Sequence, residues 1–431
     1  MQAFGDFLFI KTKQLNFSVI FISISLIVYP ATVLSIPAVN GLIFSLFVLA
    51  GLVYLFLYRN ESFEISRDEV QFYLSFSSFF LAALLITVSG GFVYKVVGKY
   101  LHVVLIIPVY IYFRHSGIKL FYVWFGLVLG SIVAAMVAFY EVSILNLPRA
   151  RSLTHPIIFG DLSLVMGCMS MAGFGWFKRR ANWQVIFPLI ALLCGIVASV
   201  LSVARGGWVA VPFIALVFFW YLQSRFSFRK KAVIAAVIII FMGGIYAIPQ
   251  TKVSFHIDRT ITNLQEYVDS DITSAKRGTS VGVRLEMWQA SWKIFLDHPL
   301  MGVGWEHYRA QAQLQVNQGL RNRSAASLSH PHSEYFSALV SGGLLGFLVL
   351  MLLFLVPARL FIKYIKQSES TDVHRLALAG LVLIVAYMAF GLSEPLLYRS
   401  RSVNFFAFYL AVFMAGIYGQ ESNEEVISHK S

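Results

Sequence analysis

Charge is what this sequence has least of. Only 13% of its 431 residues are Asp, Glu, Lys or Arg, against 58% hydrophobic, so a soluble fold would have too little polar surface to cover its own apolar mass. Lipid must supply the missing solvation. The two cysteines, Cys168 and Cys194, both sit inside apolar runs, which leaves no disulfide to staple exported loops. There is no GxxxxGK[ST] loop and no HExxH pair, so nucleotide hydrolysis and a zincin site have no support. The short segments of alternating apolar and polar residues that a membrane barrel needs are missing too.

What is present is a series of solid apolar runs, each near the length that crosses about 30 Å of hydrocarbon. They fall at 17–36, 39–58, 71–89, 97–113, 120–140, 157–177, 183–203, 208–222, 232–249, 335–357, 376–395 and 402–419. In lipid each must satisfy its own backbone, which a helix does even when interrupted by Pro30, Pro108 or Pro212. Thirty-nine Phe, twenty Tyr and eight Trp suit lipid-facing helices with aromatic belts. Lys11 and Lys13 precede the first run, which lacks a small-residue cleavage site and reads as a retained helix. The expected fold is an all-α polytopic membrane protein with about 12 transmembrane helices and one large periplasmic loop containing helices.

Lys and Arg set the orientation. Of the 34 such residues, eighteen fall on one side if the N-terminus is cytoplasmic, seven in the short loops of the other side, and nine in the long loop that the rule exempts. Both termini are then cytoplasmic. The expected organisation is 1–249, a bundle of about nine helices; 250–333, the large periplasmic loop; 334–421, three C-terminal helices; and 422–431, a cytoplasmic tail. The net charge of +13 follows from this topology and does not call for a nucleic-acid partner.

The long loop is the one sizeable hydrophilic segment. It is mildly basic, which favours an anionic ligand; an ordinary solvated loop is the plain alternative. Val281 to His298 reads as a helix, with Leu285, Trp288, Trp292 and Phe295 at three- and four-residue spacing, able to lie on the membrane surface or to pack on the bundle. Pro299, Gly302 and Gly304 then turn the chain. Asp269 and Asp271 form the one Asp-x-Asp, a divalent-cation pattern in principle, but away from the histidines and more simply a solvated feature.

The loop re-enters the membrane through Ser329-His330-Pro331-His332-Ser333-Glu334. Histidine exchanges a proton near neutral pH, so a His at a membrane mouth suits a reaction between a lipid-anchored donor and an acceptor in water. A hydrogen-bonded structural histidine is the alternative. Arg205 closes an apolar run, and an arginine near the bilayer is expensive unless it has work to do, a diphosphate being its natural partner; snorkelling to headgroups is the other reading. Asp161, just inside a span, needs a partner, for which Arg151 or His155 would serve. Glu334 and Glu394 lie near span ends, where either could orient His332 or an arginine.

His332-Ser333, nine residues, then Gly343-Leu344-Leu345-Gly346 resembles the HS-x9-GxxG motif of the O-antigen ligase family. Arg284 with Trp288, followed by the Pro299–Gly304 turn, is similar to that family's loop pattern, and the layout of spans agrees. The resemblance implies a GT-C-like membrane glycosyltransferase of the bacterial inner membrane. Its donor would be an undecaprenyl-diphosphate-linked glycan and its acceptor the lipid A core, joined at the periplasmic face without cofactor or metal. It implies His332 as catalytic base, with His330 as fallback, Arg205 and Arg284 as the diphosphate clamp, and Glu334, Trp288 and Asp161 in support. Direct displacement would invert the anomeric carbon. O-antigen polymerases and O-linked protein oligosaccharyltransferases share the superfamily, although the latter usually have longer chains. A secondary transporter is the reading from another class, disfavoured because the informative polar residues gather at one face and not at the bilayer midplane.

Overall fold

A backbone inside lipid has no water to bond, so each apolar run closes its own hydrogen bonds. The computed structural model describes residues 18–60, 64–89, 94–223 and 253–428, and among these it has helices and turns but no strand. The first helices are α1 (Ser18–Thr32), α2 (Pro37–Leu57), α3 (Arg67–Ser89), α4 (Tyr94–Val104), α5 (Ile106–Ser116) and α6 (Leu120–Phe139). Then come α7 (Pro156–Ala172), α8 (Phe174–Arg180), α9 (Ile186–Ser202) and α10 (Ala210–Leu222). The loop contributes α11 (Val253–Val268), α12 (Ser280–Asp297) and α13 (Tyr308–Asn317), and the chain ends in α14 (Glu334–Gln367), α15 (Thr371–Phe390) and α16 (Ser400–Ser428).

Nine helical stretches among the described residues are long and apolar enough to cross a membrane, and the bent pair α7 and α8 makes up to ten. The protein is therefore a multi-pass membrane protein. Of the twelve expected spans, α1 falls short of the length and 232–249 lies outside the described residues. The run over 157–177 is not one straight helix: it turns by 48° at Gly173, a residue type that tolerates such a break. The run from 335 continues past 357 to Gln367, with Arg359, Lys363 and Lys366 exposed on its last turns, where long cationic side chains reach beyond hydrocarbon. The run to 395 stops at Phe390, because the Gly391, Leu392 and Ser393 amides bond back to Tyr387, Ala389 and Phe390. That turn releases Glu394 from the helix.

The bundle is organised around α15 and α16, each 89% buried over its membrane window, whereas α10 is 17% buried. The exposed faces of the outer helices are leucine-rich, with Leu74, Leu81, Leu216 and Leu348 all open, as lipid contact requires.

The loop is not a loose connection. Met287, Ala290, Ile294, Tyr308, Ala312, Ala325 and Ala326 form a second core that includes Val340 of α14. Its polar hub is the buried Glu286, whose carboxylate accepts from Arg277 at 2.7 Å, the Tyr267 hydroxyl at 2.8 Å and the Asn322 amide at 3.0 Å. The α12 helix matches the expected boundaries, but its packed face carries Met287, Ala290 and Ile294, while Trp292 and Leu296 point outward.

Glycine then buckles this layer to the bundle. Gly343, with φ 57° and ψ −144°, adopts a conformation closed to other residues and interrupts α14. Into the gap comes the segment after α12. Leu344 and Leu345 amides donate to Pro299 and Leu300 carbonyls, while Val303 and Gly304 amides donate to Val340 and Ser341 carbonyls. A Cβ on Gly343 would stand 2.6 Å from the Pro299 oxygen. The first glycine of the HS-x9-GxxG spacing is thus the clasp between loop and span.

Candidate active site

The turn ahead of α14 is held from three sides. Ser333, extended at φ −154°, caps the helix by accepting from the Phe336 amide, and its hydroxyl donates to the Gly391 carbonyl at the end of α15. Trp288 of α12 donates through Nε1 to the Pro331 carbonyl at 3.0 Å and stacks on Phe336. Glu334 accepts from the Leu397 amide at 2.8 Å, tying the start of α14 to the turn that precedes Arg399. Between these supports His332 sits in the left-handed region, with φ 51°. A β-carbon there costs on the order of 1–3 kcal/mol, and the surrounding bonds hold it.

His332 Nδ1 lies 2.7 Å from Oε2 of Glu394, whose side chain is fully buried. An ionised carboxylate only accepts, so Nδ1 must carry the hydrogen, and in the neutral form of the ring the lone pair is on Nε2. Burial by itself would raise the Glu394 carboxyl, but the His332 bond and charge, with those of His330 and Arg399, hold it below the usual range. Arg399 approaches the second oxygen at 3.6 Å. The result is an imidazole whose ring is oriented and whose Nδ1 hydrogen is fixed.

His330 packs edge-on to His332, with ring centroids 4.7 Å apart, and its Nδ1 accepts from the His332 amide at 3.4 Å. Burial, more than the nearby charges, pushes the His330 imidazole down to about 4. It is a neutral neighbour whose Nδ1 is already engaged. His155 also belongs to this neighbourhood: burial and the Arg399 charge lower it, against the pull of Glu394.

Arg284 lies one turn before Trp288 on α12, half-buried. Burial lowers its guanidinium, and the Glu394 carboxylate opposes that, so it faces the same electrostatic field as His332. Arg205 is exposed at the start of the 3-10 turn Arg205–Val209. That turn docks beside Glu394, since a Cβ on Gly206 would stand 2.3 Å from the Ser393 hydroxyl. The like charge of Arg259 on α11 lies within electrostatic range of Arg205. The fold therefore brings the two arginine segments and the histidine turn to one end of the bundle.

Asp161 departs from expectation. It is fully buried in α7, and neither carboxylate oxygen has a hydrogen-bond partner among the described residues, so the expected pairing with Arg151 or His155 is not made. It sits beneath the arginine turn, where a Cβ on Gly207 would come 2.1 Å from its Oδ1. Asp269 and Asp271 are exposed at the end of α11. Glu334, expected as a support for His332, braces the Leu397 amide, and it is Glu394 that stands beside the ring. The signal for Glu394 was an acid at the end of an apolar run, where a charge is costly without a partner.

Residues 190–351 match the family model described as O-antigen ligase. That segment takes in Arg205, Arg284, His330 and His332, while Asp161, Glu394 and Arg399 lie outside it. A protein of Haemophilus influenzae, itself named only as uncharacterized, is 24% identical over 403 residues, which is 93% of this chain and 98% of its own length.

Proposed function

We propose, on the premise that residues 190–351 carry a domain of the O-antigen ligase family, that this chain transfers a preassembled glycan from an undecaprenyl diphosphate carrier to a sugar of the lipid A core. The observation that carries the reading is the 2.7 Å bond from His332 Nδ1 to the buried Glu394, which leaves a directed Nε2 at the mouth of the bundle. In this reading the acceptor hydroxyl gives its proton to Nε2 as its oxygen attacks the anomeric carbon. The bond from that carbon to the carrier phosphate breaks on the opposite side, so the configuration inverts. Carrier diphosphate leaves with the electron pair.

A diphosphate is already a good leaving group, so positioning and charge stabilisation are what the protein must add. Arg284 and Arg205 supply the cations, with planar donors suited to phosphate oxygens. Arg399 keeps Glu394 ionised, and Trp288 and Glu334 hold the histidine turn. Asp161 supports the arginine turn from below. The Lys and Arg distribution favours cytoplasmic termini, which turns His332 to the periplasm and the Arg359–Lys366 end of α14 to the cytoplasm. The region 250–333 is then the periplasmic part between the 1–249 bundle and the helices of 334–421.

The test is a reaction with the purified full chain, carrier-linked glycan and core acceptors. Glycan appearing on the acceptor, with release of carrier diphosphate, is the expected product. Longer carrier-linked chains without acceptor modification would replace this reading with a polymerase, and glycan accumulating unchanged in sealed vesicles would replace it with a transporter.

A further inference from the structure

The end of α14 farthest from His332 carries a concentration of charge that glycan transfer does not use. A groove of about 450 Å³ lies there between α3 and α14, lined by Arg67, Gln71, Arg359, Lys363 and Lys366. Its acid, Asp68, is taken by the Lys363 ammonium at 2.6 Å. Arg67, Arg359 and Lys366 are exposed and make no ion pair among the described residues. Three uncompensated cations that share one concavity repel each other until an anion joins them.

A second observation sets the kind of anion. Exposed Leu344, Leu348, Leu352 and Leu355 of α14 follow a three- and four-residue spacing that continues into Arg359 and Lys366, so one face of the helix passes from apolar to cationic in register. On α3 the face that begins at Arg67 continues through exposed Val70, Leu74, Leu81 and Leu85. The helices are antiparallel neighbours: Asp68 meets Lys363 at one end, and Ile86 lies against Gly342 at the other. A cationic pocket thus opens onto two apolar stripes as long as an acyl chain. A free phosphate would use only the pocket.

We propose that this groove binds an anionic phospholipid, its phosphate held by Arg67, Arg359 and Lys366 and its chains lying along the α3 and α14 stripes. The site does not depend on the reaction at His332. Native mass spectrometry of the purified full chain, titrated with phosphatidylglycerol or with phosphatidylcholine of the same chain length, reads it directly. The wild type should retain phosphatidylglycerol in preference to phosphatidylcholine. Arg67→Gln, Arg359→Gln and Lys366→Gln should each weaken that retention by about fivefold, a factor for each cation near an anionic surface. Lys178→Gln removes an exposed cation at the same end, beside the Arg179–Asp372 pair, and should leave retention unchanged. Unaltered thermal unfolding in phosphatidylcholine checks that each variant is folded. Equal retention of the two lipids, or an equal loss from Lys178→Gln, would overturn the site in favour of diffuse attraction. Displacement of the lipid by millimolar inorganic phosphate would reassign it to a free anion.

Discussion

Replacing Glu394 by Gln tests the core of the proposed mechanism, because it removes one charge and keeps the side chain's shape. In the wild type the carboxylate is fully buried, 2.7 Å from His332 Nδ1, with Arg399 at 3.6 Å. A hydrogen bond to a charged group contributes about 1.5–3 kcal/mol, and this one strengthens as the imidazole gains a proton. At 1.36 kcal/mol per decade of rate, that loss alone slows transfer by roughly 10- to 150-fold. The Gln amide can also present its N–H to Nδ1, favouring the tautomer in which Nε2 is protonated and unable to act as base. Wrong-tautomer effects of this kind reach about 10⁴-fold in a serine protease triad, so the expected fall in kcat is about 10²- to 10⁴-fold. KM for the carrier-linked donor should change little, since the arginines remain. Glu394→Asp, which keeps the charge but draws it back, should recover part of the rate. The assay is initial-rate transfer to core acceptor by the purified protein, with thermal unfolding confirming the fold. A Gln variant within threefold of wild-type kcat would refute the role of Glu394, and a loss confined to KM would make it a binding residue.

The other expectations follow from the same geometry. His332→Ala should lower kcat by at least about 10³-fold, within the range of lost base catalysis, whereas His330→Ala should cost far less; the reverse order in the transfer assay would move the base to His330. Gly343→Ala forces a Cβ into the Pro299 and Leu300 backbone at 2.6 Å and should destabilise by on the order of 2–4 kcal/mol. Thermal unfolding should fall and proteolysis after α12 should rise, and an unchanged profile would deny the clasp. Burial holds His330 near 4 and lowers His155, while the unfolded chain takes up those protons near 6.5. The contribution of these two groups to stability should therefore decline as pH drops from about 6.5 to 4 and level off below that. The depressed Glu394 adds its own loss only as pH falls below the ordinary Glu range. His330→Asn should flatten the slope of melting temperature between pH 7 and 5, and an identical slope would place the pH response elsewhere.

Some of the site was written locally and some was not. The α12 helix and the turn after it followed from apolar spacing and from Pro299, Gly302 and Gly304, because helix periodicity and turn residues act over a few positions. The two glutamates show the limit of that reasoning. Glu334 stands two residues from His332 and looks like its natural partner, yet α14 carries its carboxylate to the Leu397 amide. Glu394 is 62 residues away and touches the ring only because α15 ends early and its terminal turn folds over the Ser333 cap. Asp161 invited a partner on charge grounds, and the packing of Gly207 against it supplied none.

Sequence alone determined the solvent of this protein, the helical state of its spans and the spacing that singles out His332, since hydropathy and backbone hydrogen bonding are satisfied within each segment. Tertiary structure decided which acid orients the histidine, how the Arg205 turn reaches Ser393, and why Gly343 must be glycine. Those outcomes depend on how helices distant in the chain pack side by side, and a contact between them leaves no periodic mark in either one.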